Sequence, residues 1–130
     1  MTFPITALYA SALAILAIVL SIRVSLMRGT AKVALGDGGN PILTERIRQH
    51  SNLVENAPLA LILLALAEAQ GTSPLWLHLS GGILLASRLI HPLGIRHDQP
   101  ANPVRIVGSV GTTTAMLIAV VALLRHAAGM

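Results

Sequence analysis

The chain has 130 residues, of which 54% are hydrophobic and only 11% are charged, and its formal net charge is +4. Soluble domains carry about 25% charged residues, so this composition indicates a membrane protein. It also excludes intrinsic disorder, which requires low hydrophobicity and high charge. The lack of cysteine excludes a disulfide scaffold, and it means that any thiol chemistry must use a thiol that a ligand brings. We expect a single domain over residues 1–130.

The first predicted element is a helix over residues 4–27. Residues 1–22 contain no charged side chain and approach the roughly 20 residues that an α-helix needs to span a bilayer. No lysine or arginine precedes this apolar run, so we do not expect a signal peptide. A long loop then leads to Asn40. Its stretch Gly36-Asp37-Gly38-Gly39 is rich in glycine, but no strand precedes it, as one would in a phosphate-binding loop. We therefore expect a flexible loop here.

A second helix is predicted over residues 41–69, since Asn40-Pro41 joins a capping residue to a proline suited to the first turn. Its second half is apolar, but its first half carries Arg48, Asn52 and Glu55 at positions i, i+4 and i+7. These three side chains fall within about 60° on one face of the helix. Ionisable groups at membrane depth are costly unless they face protein or water, so this polar stripe indicates a functional site.

The third helix is predicted over residues 74–95 after Ser73-Pro74, with a bend at Pro92, and the fourth over 103–126 after Asn102-Pro103. Both carry polar side chains near the membrane level of the stripe on the second helix. These are Arg88 and His91 on the third helix and Arg105, Ser109 and Thr112 on the fourth, with Arg23 of the first helix nearby. An all-α bundle of four transmembrane helices is therefore expected to bring these groups together.

The basic residues predict the orientation of the chain in the membrane. Arg28 and Lys32 in the first loop and Arg96 in the third loop place these loops in the cytoplasm and both termini outside, by the positive-inside rule. Glu68 and Arg125 cancel in the outer half, so the whole net charge of +4 lies in the cytoplasmic half.

Two interpretations of the charges on the helices compete. In the first, Arg48 or Arg88 forms a structural ion pair with Glu55, and the other arginines extend to the membrane interface. In the second, the surplus of arginine over carboxylate binds an anionic ligand, because guanidinium groups suit carboxylates.

Two other classes of protein fit the sequence less well. A protein with two haems would need His50 paired with His91 and His78 paired with His126, but His50 and His126 lie near helix ends. A small four-helix multidrug exporter would need a carboxylate in the middle of its first helix, which has none. We expect no metal site and no nucleic-acid partner.

The segment ERIRQHSNLVENAP at residues 45–58 resembles the MAPEG family, the membrane-associated proteins of eicosanoid and glutathione metabolism. The family has an Arg-x-x-x-Asn-x-x-Glu motif on its second helix, and the later helices have further motifs in the same order as here. The matching positions are Arg48, Asn52 and Glu55 on the second helix, Arg88 and His91 on the third, and Pro103 and Arg105 on the fourth. The resemblance covers essentially the whole chain.

The resemblance implies a homotrimer that binds glutathione between subunits near the cytosolic face. It also implies that Arg105 is the catalytic group, which stabilises the glutathione thiolate. A thiol with a pKa of about 8.5 is only a few per cent ionised at neutral pH, and lowering that pKa by two units takes about 2.7 kcal/mol. The residues implied to bind glutathione are Arg23, Arg48, Asn52, Glu55, Arg88 and His91.

The chain departs from the family pattern at four positions. Ser51 stands where some members have arginine, and Ile106 stands where some have serine. Ile95 and Ser109 stand where members carry tyrosine. The departures leave no phenol near the thiol, and they disfavour eicosanoid chemistry.

We therefore expect an integral protein of a bacterial inner membrane that acts as a glutathione transferase or peroxidase. Its second substrates would be lipophilic electrophiles that arrive from the bilayer. The alternative is a non-catalytic member of the same fold that keeps a pocket for an anionic ligand or a lipid. Retained glutathione binding without turnover would favour this alternative.

Overall fold

The computed structural model describes residues 2–129 and has four α-helices and no strand in this range. The helices are α1 (Pro4–Ala31), α2 (Pro41–Ala69), α3 (Pro74–Gly94) and α4 (Pro103–Ala127). The predicted all-α fold is confirmed.

Each helix begins at a proline, whose fixed φ suits the first turn and whose missing N–H needs no partner there. The Asn40 side chain accepts hydrogen bonds from the amides of Ile42 and Leu43, both at 3.0 Å. The Asn102 side chain caps α4 by accepting from the Val104 amide at 2.9 Å. The starts of α2 and α4 are therefore fixed by their own sequences, as predicted.

The end of α1 differs from its predicted position, because the helix continues four residues past residue 27. It stops at Lys32, which adopts a left-handed conformation with a φ of 55°. The Lys32 amide donates to the carbonyls of Arg28 and Gly29, which closes the last turn. The apolar segment ends at Arg28, where the hydropathy falls. The helix itself ends only at Lys32, where the backbone adopts the left-handed conformation.

Much of the bundle surface is apolar, as expected for a protein surrounded by lipid. Large side chains such as Ile15, Ile62 and Leu117 are more than half exposed. Within the described residues, α1, α2 and α4 are long and apolar enough to cross a membrane. The 21 residues of α3 measure about 31 Å, which is also a spanning length. Most of its polar side chains face the inside of the bundle, where Ser80, Ser87, Arg88 and His91 are buried, whereas His78 is exposed.

α2 and α3 lie at the centre of the bundle. They contact each other, and each also contacts both α1 and α4. Within residues 2–129, no close backbone contact joins α1 to α4. The polar stripes of α2 and α3 are therefore held next to each other, between the two outer helices.

The closest helix contact joins the last part of α3 to the first part of α4. We call it the glycine seam, formed by Gly94, Gly108 and Gly111 with their neighbours across the contact. A side chain at Gly94 would overlap the backbone of Arg105, and one at Gly111 would overlap the Ser87 hydroxyl. The seam thus fixes where α4 begins relative to α3.

Candidate functional site

The bundle has two ends with different chemistry. The loop end contains the loops at residues 32–40 and 95–102. The terminal end contains the start of α1, the turn at residues 70–73 and the end of α4. A cavity of about 180 Å³ opens at the loop end, and its walls include the predicted site residues Arg48, Asn52 and Arg105. The other lining residues are Thr44, Glu45, Ile95, Arg96 and His97.

Arg88 lies behind this cavity and is only 2% exposed. Its Nη1 donates to Asn52 Oδ1 at 2.9 Å, and its Nη2 donates to the Gly108 carbonyl at 3.0 Å. Both acceptors are neutral, and within residues 2–129 Arg88 Nε has no hydrogen-bond partner. Because Arg88 occupies the oxygen of Asn52, the amide NH₂ of Asn52 remains available to a ligand.

His91 is equally buried but does not line the cavity. Its Nε2 lies 3.0 Å from the hydroxyl of Ser109 on α4, and its ring packs against Gly108. Ser109, one of the four departures from the family pattern, therefore contacts the third-helix histidine. His91 supports the wall that carries Arg105 and does not itself reach the cavity.

The remaining predicted residues are less buried than Arg88 and His91. Arg48 Nη1 is 3.7 Å from Glu55 Oε1, and more than half of each side chain is exposed. Such a long and open pair contributes little to stability, so it does not explain why charges lie on this helix face. Arg105 is exposed and, in the described range, its side chain makes neither an ion pair nor a hydrogen bond. Arg23 is half-buried on α1 and does not line the cavity.

A polar contact that the sequence did not reveal attaches the second loop of this end to α2. Glu45 Oε2 accepts from the His97 amide at 3.1 Å and lies 2.8 Å from His97 Nδ1. Gln49 is buried, and its Nε2 donates to the Ile95 carbonyl at 3.1 Å. Helical spacing places Glu45 within about 20° of Asn52, so it could have been added to the polar stripe. Nothing in the sequence pattern singles out His97.

One of the cavity's cations already has a partner. Arg96 Nε and Nη2 donate to the two oxygens of Asp98 at 3.0 and 2.8 Å. This bidentate contact lowers the pKa of the Asp98 carboxyl to about 2. The pair is exposed and lies in the loop outside the membrane-spanning segments. Arg96 is therefore neutralised within its own loop.

The cavity is chemically suited to an anion. Arg105 forms no ion pair in residues 2–129, and Arg48 has only a distant and solvated partner. Glu45, the carboxylate in the lining, is already bonded to His97, and Asn52 offers amide hydrogens. Guanidinium groups bind carboxylates and other oxyanions through paired, charge-assisted hydrogen bonds. The geometry therefore favours anion binding over a purely structural role for this stripe.

Comparison with known proteins gives a consistent result. The sequence model of the MAPEG family matches residues 6–125, which extend from α1 into the last turns of α4. The inner membrane protein YecN of Escherichia coli strain K12 is 40% identical over 93 residues, which are 72% of this chain and 71% of that protein. YecN of Escherichia coli O6:H1 strain CFT073 shows the same identity over the same length. No solved structure matches the chain at a significant level.

Proposed function

Given that this chain belongs to the MAPEG family, we propose that it is a glutathione transferase or peroxidase that acts on lipophilic electrophiles. The observation that carries the proposal is the loop-end cavity, where Arg48, Asn52 and Arg105 converge from two helices. The E. coli relative is named an inner membrane protein, which supports the same location here. We place the loop end on the cytoplasmic side, because most of the basic residues lie there.

The residues of the cavity fit the polar groups of glutathione, which has two carboxylates, one ammonium group and peptide amides. Arg48 suits a carboxylate. Glu55 does not line the cavity, but it lies beside Arg48, and its exposed carboxylate suits the ammonium group. The amide hydrogens of Asn52 suit a carbonyl oxygen. Arg88 is a positioning residue in this proposal, because it holds Asn52 through a 2.9 Å hydrogen bond and does not line the cavity.

Arg105 is the proposed catalytic residue. A guanidinium beside a thiol favours the thiolate, and the tight packing at Gly94 holds the Arg105 backbone in place. The guanidinium is already protonated and cannot take the proton, so the thiol proton leaves to water. When bound, the glutathione thiolate would attack an electrophilic carbon and displace its leaving group. With a peroxide it would break the O–O bond and release an alcohol, and a second glutathione would convert the resulting sulfenic acid to glutathione disulfide and water.

The size of the cavity supports a site shared between subunits. Its volume of about 180 Å³ is smaller than the roughly 300–1,000 Å³ of typical ligand pockets. Arg48 and Glu55 are also half exposed on a surface that would otherwise meet lipid, where charges are costly. We propose that a neighbouring subunit of a homotrimer covers this face. Arg23, which lies away from its own cavity, would then complete the site of a neighbour.

The test is calorimetry with glutathione on the purified protein in detergent. We expect binding in the wild type, about tenfold or more weaker binding in Arg48→Gln and Asn52→Ala, and little change in Lys32→Gln, which removes an exposed charge from the same end. Arg105→Gln should keep binding but lose the ultraviolet absorbance of the thiolate and turnover of a chloronitrobenzene. No binding at millimolar glutathione would refute the proposal. Wild-type binding without turnover would favour the non-catalytic alternative.

A further inference from the structure

A second and larger cavity lies at the terminal end, away from the proposed active site. It has a volume of about 520 Å³ and forms a groove between the start of α3 and the second half of α4. Trp76, Leu117 and Val121 form its apolar walls, and Arg125 and His126 stand at its rim. We propose that this groove binds an anionic phospholipid of the bilayer, with an acyl chain along the walls and the phosphate on Arg125.

The groove follows from the way α3 and α4 pack. The Ser80 hydroxyl donates to the Ala115 carbonyl at 2.9 Å, and the glycine seam lies on the loop side of this contact. On the terminal side, neither helix has a glycine. The side chains there are large and remain about half exposed, as for Trp76 (49%) and Val121 (55%). They form the walls of an open groove where smaller residues would allow the helices to close.

The charges at this end are complementary to an anionic headgroup. Glu68 is the only acidic side chain at the terminal end in the described range, and both of its oxygens are occupied. Oε1 accepts from the Ile5 amide at 2.9 Å, and Oε2 accepts from the Thr6 amide at 2.8 Å. The Arg125 side chain makes no ion pair or hydrogen bond within residues 2–129. Its guanidinium is therefore available for the phosphate of a lipid.

The length of the groove matches one leaflet. Its lining runs along α4 from Thr114 to Arg125, which is about 16 Å at 1.5 Å per residue. The hydrocarbon core of a bilayer is about 30 Å thick, so the groove reaches from the membrane surface to near the middle. This is the depth that the acyl chain of a single phospholipid occupies. A soluble anion could bind Arg125 but would gain nothing from contact with the apolar walls.

The chain provides its own probe, because Trp76 is its only tryptophan and lines the groove. The protein is reconstituted in phosphatidylcholine bilayers that contain a small, equal fraction of acyl-brominated phosphatidylglycerol or acyl-brominated phosphatidylcholine. Bromine quenches tryptophan fluorescence at short range. We expect the anionic lipid to quench Trp76 at least twofold more than the zwitterionic lipid.

Matched variants separate a site from general lipid contact. Arg125→Gln should abolish the preference for phosphatidylglycerol, whereas Lys32→Gln at the loop end should keep it. Thr114→Phe, which fills the inner part of the groove, should reduce quenching by both lipids. Equal quenching by the two lipids in the wild type would overturn the proposal, as would a preference that survives Arg125→Gln. Weak quenching by both lipids would indicate that another copy of the chain covers the groove, and would overturn it too. The outcome does not depend on glutathione binding.

Discussion

The two ends of the bundle use arginine and glutamate in opposite ways. At the loop end, Arg105 and Arg48 line a small polar cavity, and within residues 2–129 Arg105 forms no ion pair and Arg48 only a long, exposed one. At the terminal end, the carboxylate of Glu68 is fully used by backbone amides, which leaves Arg125 beside an apolar groove. The comparison shows that the type of a charged residue does not indicate its role. Whether its hydrogen bonds are already satisfied inside the chain does.

The ends also differ in how closely α3 and α4 approach each other. The glycine seam presses α4 against α3 at the loop end, whereas bulky side chains line an open groove at the terminal end. The loop end is therefore a precisely spaced support for polar groups, and the terminal end offers a surface that a flexible apolar chain can fill.

The largest expected effect would come from breaking the seam. Gly94→Ala places a methyl group against the Arg105 backbone, which cannot move unless the start of α4 lifts away from α3. We expect the free energy of unfolding in detergent to fall by about 3 kcal/mol, together with weaker glutathione binding. Thermal unfolding and calorimetry measure the two effects.

Gly82→Ala is the matched control for this change. The nearest atom to its added methyl group is Tyr9 Oη at 3.8 Å, which is an ordinary contact. Because alanine favours a helix over glycine by about 1 kcal/mol, this variant should be as stable as the wild type or more so. Equal losses in the two variants would contradict the close contact assigned to Gly94 in the glycine seam.

The two glutamates provide a second and smaller test. Glu68→Gln removes the charge and one acceptor at the start of α1, and we expect it to lower the free energy of unfolding by about 1–2 kcal/mol without changing glutathione binding. Glu55→Gln should change stability by less than about 1 kcal/mol, since its pair with Arg48 is long and exposed, but it should weaken glutathione binding. The opposite pattern would reverse the roles assigned to the two ends.

The smallest expected effect concerns Asp98. Arg96 lowers the pKa of this carboxyl from its ordinary value of 3.8 to about 2, so the ionised form is favoured in the folded protein. The stabilising contribution is present above pH 3.8 and is lost as the pH falls towards 2. Asp98→Asn should therefore show a slightly flatter decline of the melting temperature in this range. Carbon NMR of the Asp98 carboxyl gives a direct check, and titration near its ordinary value would show that Arg96 is free to bind a ligand.

Much of the fold could be predicted because local sequence determines it. The starts of α2 and α4 depend on Asn-Pro pairs that cap and begin the helix within a few residues. The end of α1 could not be predicted, since Arg28 reduces the hydropathy without stopping the helix. It ends at Lys32, whose left-handed conformation has no clear signal in the sequence.

Helical spacing predicted which site residues share a face of one helix, but not which residues contact each other between helices. Arg48 and Asn52 lie on one face of α2, and Arg105 lies in the first turn of α4 at the same end of the bundle. The roles of Arg88, His91 and His97 depend on contacts with residues 18 to 52 positions away in the sequence. Arg88 and His97 contact α2, and His91 contacts α4. No periodicity indicates that Arg88 is buried behind Asn52 or that His91 contacts Ser109. These contacts follow from tertiary packing.

The buried polar side chains of α3 have a consequence for how the protein is made. Ser80, Arg88 and His91 find their partners on α2 and α4, so a solitary α3 would expose them to hydrocarbon, where a central arginine alone costs about 2.5–3.5 kcal/mol on insertion scales. α4 is apolar enough to enter on its own and supplies the Gly108 and Ala115 carbonyls. During synthesis, α3 should therefore leave the translocon together with α4, as a helical hairpin that docks onto an α2 already in the membrane.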